Sequence, residues 1–383
     1  MTPFQNNLAE VKFNFDNNND NLGFRMLVDV VLDTNKITNF NEIIFIANWY
    51  EQNGNEQLAF KEKCLALICK LEKQTLKTSD TTKLLVSAKN IKKRYGKNNF
   101  ELGTVNFEIH VGQLIGLVGE NGNGKTTLLR MLAKELAISE GEIIYSFADK
   151  SIDDYTLRTK LTYIPQRTPK WFGNVKDNLK LTCTHYGIAP LENEQWVSML
   201  MIRFGLWKYR NHNWEELSSG YKMRFELART FLRKPKLLLL DEPLANLDIL
   251  SQQLILEDLK MLGKSLSNPL GIILSSQQLY EVEKVSDEVV FLQNGKASSF
   301  NNLKNETQEN NLVVEVEIEN SKAALLQALA AFTVNDIKLL GSNYYVDLKD
   351  CNQKQFLQSL LQHDIAMKYY RDISQSTRRF FNN

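Results

Sequence analysis

Through the middle of the chain, short runs apolar at every position alternate with amphipathic stretches. Leu114-Ile115-Gly116-Leu117-Val118, Leu237-Leu238-Leu239-Leu240 and Gly271-Ile272-Ile273-Leu274 have the pattern of strands covered on both faces. After the first, Leu128, Leu129, Met131, Leu132 and Leu136 predict an amphipathic helix. The pattern changes on either side. Residues 1–82 hold an Asn/Asp-rich stretch and then helical groupings: Leu27, Val30, Val31 and Leu32; Ile43, Ile44, Ile46, Trp49 and Tyr50; Leu58, Phe60, Leu65, Leu67, Ile68 and Leu71. They predict a small helical domain closed by a polar linker from Thr78 to Thr82. Beyond a polar stretch from Ser298 to Asn311, strand-like Leu312–Ile318 is followed by helical Ala323–Ala331 and strands Val334–Leu340 and Tyr344–Leu348. Helical Phe356–Leu361 and strand Ile365–Tyr370 complete a β-α-β-β-α-β order, which predicts a ferredoxin-like α+β domain over 301–383. The tail from Ser374 to Phe381 ends basic and aromatic, as a packed last helix or a membrane or partner contact would.

The apolar runs end in chemistry. Gly119-Glu120-Asn121-Gly122-Asn123-Gly124-Lys125-Thr126, next to Thr127, fits the phosphate-loop pattern G-x-x-x-x-G-K-[ST] between a strand and a helix. Its glycines permit a tight turn whose N–H groups converge on phosphate oxygens, and the helix opening near Lys125 adds the positive end of its dipole. Lys125 would reach the β- and γ-phosphates, and the Thr126 hydroxyl would ligate Mg²⁺. The Leu237–Leu240 strand delivers Asp241 and Glu242 at its carboxyl end. Asp241 would hold Mg²⁺ through water and Glu242 would polarise the attacking water.

Between these segments lies Leu217-Ser218-Ser219-Gly220-Tyr221, which resembles the LSGGQ signature of ABC ATPases, with Ser219 for the first glycine and Tyr221 for glutamine. Tyr95, in Lys93-Arg94-Tyr95-Gly96, is similar to the family's adenine-stacking aromatic. Gln166, in Tyr163-Ile164-Pro165-Gln166, resembles the Q-loop glutamine, a further Mg²⁺ contact. Leu244-Ala245-Asn246-Leu247-Asp248 resembles the D-loop. The resemblance covers residues 87 to about 300. It implies an α/β P-loop cassette of the ABC type, with a helical subdomain, over residues 83–300. One position departs from the pattern: Gln277 stands where the family carries a switch histidine. An amide can donate a hydrogen bond to a phosphate oxygen but cannot carry a proton, so hydrolysis is expected, at a reduced rate.

At 383 residues and 43% hydrophobic content, the chain has room for two or three packed domains. A formal charge of +1 supplies no overall field for nucleic acid or anionic lipid, so no direct nucleic-acid binding is expected. Cys64, Cys69, Cys183 and Cys351 lack metal spacing and read as reduced core thiols. No run approaches 18 apolar residues and the amino terminus has no signal-peptide pattern. A cytoplasmic protein is expected, peripheral on the cytoplasmic face of the membrane through a permease on a separate polypeptide.

The family resemblance implies a head-to-tail dimer, a homodimer in the simplest case, in which Ser218, Ser219 and Gly220 of one chain meet ATP bound by the other. The expected function is the ATP-hydrolysing subunit of a transporter, most similar to cassettes of small-permease exporters. Trp171 and Phe172 lie where the family contacts its permease, although both also suit a core. The alternative is a soluble ATP-driven switch on a cytosolic assembly such as the ribosome. The extra amino-terminal domain favours that alternative, whereas the single cassette and the absence of long heptad repeats do not.

Overall fold

The computed structural model describes residues 2–76, 80–96, 101–148, 152–277, 279–293, 295–299 and 311–374. The polar stretch 298–311 and the tail 374–381 therefore lie largely outside the described residues, as does part of the 78–82 linker. Two compact units result, Met1–Gln277 with Val285–Ala297, and Gln278–Lys284 with Ser298–Asn383.

The first unit opens with four helices, α1 (Pro3–Asp16), α2 (Asp20–Asp33), α3 (Ile37–Gln52) and α4 (Gln57–Leu71). Phe4, Leu8, Val11 and Phe15 line the inner face of α1 at alternating four- and three-residue spacing, and all are buried. Against them α2 comes close, since a methyl at Gly23 would stand 3.2 Å from the Phe15 ring. The bundle continues into the rest of the unit. Phe40 of α3 meets Trp196 edge to face at 4.9 Å. Trp196 belongs to helix α8 (Pro190–Arg203), which follows α7 (Val175–His185).

The nucleotide-type core has two sheets. Antiparallel strands β1 (Leu84–Arg94), β2 (Glu101–His110) and β4 (Glu140–Tyr145) form one in the order β2-β1-β4. The other contains β3 (Leu114–Val118), β5 (Leu161–Ile164), β6 (Leu237–Leu240), β7 (Gly271–Ser276), β8 (Glu288–Gln293) and β9 (Lys296–Ser299), ordered β5-β6-β7-β3-β8-β9. Strands β5, β6, β7, β3 and β8 run parallel, and β3, β6 and β7 are buried at every position, as their continuous apolar runs predict. Helix α5 (Lys125–Leu132) is shorter than its pattern predicts: Lys134 adopts φ +59°, so Leu136 packs from outside the helix. A short helix α6 (Asp154–Thr159) precedes β5. Helices α9 (Ser219–Leu232) and α10 (Ile249–Gly263) flank β6 in sequence, and α11 (Leu279–Glu283) follows β7.

The second unit confirms the β-α-β-β-α-β order. Strands β10 (Asn311–Ile318), β11 (Thr333–Leu340), β12 (Asn343–Lys349) and β13 (Met367–Asp372) pair antiparallel in the order β11-β12-β10-β13. Helices α12 (Lys322–Ala328) and α13 (Gln353–Gln362) bury Leu325, Phe356 and Leu360 with Val314, Val316 and Leu348. All four cysteines are free, but Cys69 is exposed, contrary to the core reading. Five residues along a helix turn the side chain by about 140°, so Cys64 and Cys69 cannot share the buried face of α4.

Candidate active site

Parallel strands β3, β6 and β7 lie side by side, so the chemistry-bearing residues at their carboxyl ends converge, the usual position of ligands on such a sheet. The loop after β3 turns through Gly122 (φ +85°) and Gly124 (φ +97°), conformations that favour glycine. A side chain at Gly119 would collide with the Leu292 carbonyl of β8. Lys125 opens α5 and points back into the loop, its Nζ donating to the carbonyls of Gly119 (2.6 Å) and Glu120 (3.2 Å). The same ammonium is 3.2 Å from Glu242 Oε1.

Asp241 is buried among three hydroxyls. Thr126 Oγ1 donates to its Oδ2 at 2.7 Å, Tyr163 OH to the same oxygen at 3.1 Å, and Ser275 Oγ to Oδ1 at 2.9 Å. Burial beside this carboxylate pushes the Tyr163 phenol up, so it remains a donor. Ser275 also accepts the Glu242 backbone N–H at 2.9 Å. Glu242 sits at φ +48°, uncommon for a residue with a side chain, and the Gln277 backbone N–H donates to its Oε2 at 3.3 Å. Ser275 and Tyr163 had no assigned role in the sequence reading; their signals are a hydroxyl ending an apolar strand and a tyrosine three residues before Gln166.

Hard oxygen donors fit Mg²⁺ here. The Asp241 carboxylate and Thr126 hydroxyl already face one another, and Gln166 is exposed just after β5. Among the described residues no cluster of three or more His, Cys, Asp or Glu offers a different metal site. Tyr95 is brought beside the loop, with its OH 3.4 Å from Thr127 Oγ1 and Lys93 Nζ 5.6 Å from its ring centre.

Ser218 caps α9, accepting from Tyr221 N at 3.5 Å, and it and Ser219 are exposed at the helix start. The contacts of this segment run to residues 246–251. Ser219 Oγ donates to Asn246 O at 3.3 Å, and a methyl at Gly220 would come within 2.8 Å of Ser251 Oγ. Asp248 caps α10, accepting from Ser251 N (2.9 Å) and Oγ (2.7 Å), bonds that hold its carboxyl below the usual range. Beside it Ile249 and Leu250 are exposed. The aromatic pair divides: Trp171 is held inward, its Nε1 donating to buried Glu226 at 2.7 Å and Arg229 stacked 4.5 Å over its ring, while Phe172 is 83% exposed.

Among the described residues, no helix is long and apolar enough to cross a membrane. Residues 102–245 match the ABC transporter family model. The ABC transporter ATP-binding protein NatA of Bacillus subtilis is 30% identical over 201 residues, covering 50% of this chain and 78% of NatA. The lantibiotic transport ATP-binding protein SrtF of Streptococcus pyogenes is 32% identical over 213 residues, covering 55% of this chain and 88% of SrtF. With the uncharacterized ABC transporter ATP-binding protein YhaQ of Bacillus subtilis, identity is 32% over 195 residues; the match takes in 50% of this chain and only 63% of that relative. A solved ATP binding subunit of an ABC transporter superposes with TM-score 0.50 at 26% identity, covering 58% of this chain and 92% of its own. The fold is shared with cbiO1 from Clostridium perfringens, at TM-score 0.53, 22% identity, and coverage of 59% and 91%.

Proposed function

This chain belongs to the ABC transporter ATP-binding proteins, and we propose that it hydrolyses ATP to drive a separate membrane permease through a head-to-tail dimer of cassettes. The observation that carries the reading is the convergence of Lys125, Thr126, Asp241 and Glu242 beyond the carboxyl ends of β3 and β6, the two parallel apolar strands that flank β7.

In this reading the loop from Asn121 to Gly124 offers backbone N–H groups to the phosphates, Lys125 neutralises their charge, and Tyr95 stacks on the base. Bound Mg²⁺, held by Thr126 and Asp241 with Gln166, would offset charge on the phosphate oxygens. Tyr163 and Ser275 fix the Asp241 carboxylate, while Ser275 also fixes the backbone of Glu242. Glu242 accepts a proton from the attacking water, and its strained φ aims the carboxylate. Gln277, through an amide donor, takes the position of the switch residue and lowers turnover, because it cannot pass on a proton.

Exposed Ser218 and Ser219, beside Asp248, Ile249 and Leu250, support a face covered by a second copy. Hydrolysis then removes the contacts that hold the γ-phosphate to both copies, and the dimer opens. Phe172, exposed next to anchored Trp171, supports permease docking at that turn, and export is the direction the reading favours.

The test is affinity purification of a Glu242→Gln chain from gently solubilised native membranes with ATP and Mg²⁺, followed by mass spectrometry. Recovery of one polytopic membrane protein in near-equal amount supports the transporter. Recovery of ribosomes or soluble assemblies alone transfers the chain to the cytosolic-switch reading.

A further inference from the structure

One helix of the amino-terminal bundle carries polar side chains at i, i+4 and i+8 on a single face: Arg25, Asp29 and Asp33 of α2. All three are spent on the cassette. Arg25 bridges to Asp258 Oδ1 at 2.8 Å and Glu257 Oε2 at 3.2 Å, both on α10. Asp29 pairs with Arg203 at the end of α8. Asp33 accepts from Ser265 Oγ (2.6 Å), Leu266 N (3.1 Å) and Ser267 N (3.2 Å) in the turn that ends α10.

The centre of this set is Asp258, whose side chain is fully buried. Besides Arg25, it pairs with Arg203 Nη1 at 2.6 Å and stands 3.5 Å from Arg224 Nε of α9. A single carboxylate of α10 thus joins α2 of the amino-terminal bundle to α8 and to α9. Beside these polar contacts α2 and α10 leave an open cleft of about 610 Å³, lined by Met26, Val30 and Met261 among others, where close apolar packing is lacking.

Helix α10 is a rod about 22 Å long. Its far half is gripped by α2, and its first turn carries Ser251, which lies against Gly220 at the start of α9 and is itself bonded to the capping Asp248. We infer that the amino-terminal bundle is a positioning element for the ATPase, with Arg25 and Asp258 setting the placement of the signature segment 218–224 and of residues 244–251. This rests on the proposed head-to-tail closure, in which those two segments meet the second copy.

Hydrogen–deuterium exchange on the full chain tests it, comparing Arg25→Gln and Asp258→Asn with the parent. Arg25 is partly exposed, so its substitution leaves a folded protein to measure even where Asp258→Asn does not. The expected result is a loss of protection of fivefold or more at 218–224 and 244–251, with single-chain affinity for a fluorescent ATP analogue within twofold of the parent. In a Glu242→Gln background with ATP and Mg²⁺, the dimer dissociation constant should rise about fivefold to tenfold. Exchange that changes only in the bundle and at 257–267 overturns the inference, as does an unchanged dimer dissociation constant beside altered exchange. A Glu242→Gln chain that stays monomeric while exchange responds upholds the positioning and counts against the head-to-tail dimer alone.

Discussion

Lys125 Nζ stands 3.2 Å from Glu242 Oε1, with side-chain exposures of only 5% and 11%. Two withdrawn charges from different motifs therefore compensate one another, so removing either leaves the other uncompensated. Lys125→Met is expected to lower ATP affinity more than tenfold and to cost about 1–3 kcal/mol of stability through the orphaned carboxylate. Glu242→Gln should retain ATP and lose at least about 100-fold in turnover. Adding Glu242→Gln to Lys125→Met should recover part of the lost stability, a coupling of about 0.5–3 kcal/mol in urea denaturation. Strictly additive losses would show that the pair does not interact.

Gly220 supplies a second prediction. A methyl group there would stand 2.8 Å from Ser251 Oγ, so either that hydroxyl gives up its bond to Asp248 or the start of α9 and the first turn of α10 part. Gly220→Ala is expected to leave ATP binding by the single chain within twofold and to reduce steady-state hydrolysis about tenfold or more, read by phosphate release. Because Ser251 is itself held by Asp248, the companion Ser251→Ala should restore part of the activity. Equal activity in parent and Gly220→Ala would mean that the contact has no bearing on turnover.

The convergence of the phosphate-loop and strand-end residues was legible because each part is a contiguous run at the end of an apolar strand, where local spacing fixes geometry. Lys125, Thr126, Asp241 and Glu242 come together for that reason. Ser275 was not legible, since its role depends on β7 lying beside β6. The α2 stripe hid for another reason. Arg25, Asp29 and Asp33 have the spacing of a solvated helix face, and their partners Asp258, Arg203 and Ser265 are more than 170 residues away. Trp171 was open between core and surface until the buried Glu226 carboxylate fixed its indole.

Thiol chemistry separates the cysteines. Burial pushes the thiols of Cys64 and Cys183 up to about 12, and Cys351 is buried as well, whereas Cys69 is exposed. Since the thiolate is the nucleophile, one equivalent of a maleimide should react within minutes at neutral pH and the rest only on unfolding. Peptide mapping should place the fast label on Cys69, and Cys69→Ser should abolish it. Fast labelling of Cys64 would mean that α4 opens readily.

The last prediction concerns acid. Burial pushes the Asp29 carboxyl from its ordinary 3.8 up to about 6, outweighing the pull of Arg203 in the opposite direction. The folded chain therefore retains a proton that the unfolded chain releases between about pH 4 and pH 6. By linkage, more protons bound in the folded state make this group's contribution to stability fall as pH rises through that window and level off above it. Asp29→Asn cannot titrate and loses this descent, while every other carboxyl group is common to both proteins. Urea denaturation from about pH 4 to pH 7 should show the parent losing about 1–3 kcal/mol relative to the variant. At neutral pH the variant should still be the less stable protein, because Arg203, fully buried, then lacks one of its two carboxylates. Parallel pH profiles for the two proteins would show that Asp29 titrates alike folded and unfolded, the pull of Arg203 then cancelling the effect of burial.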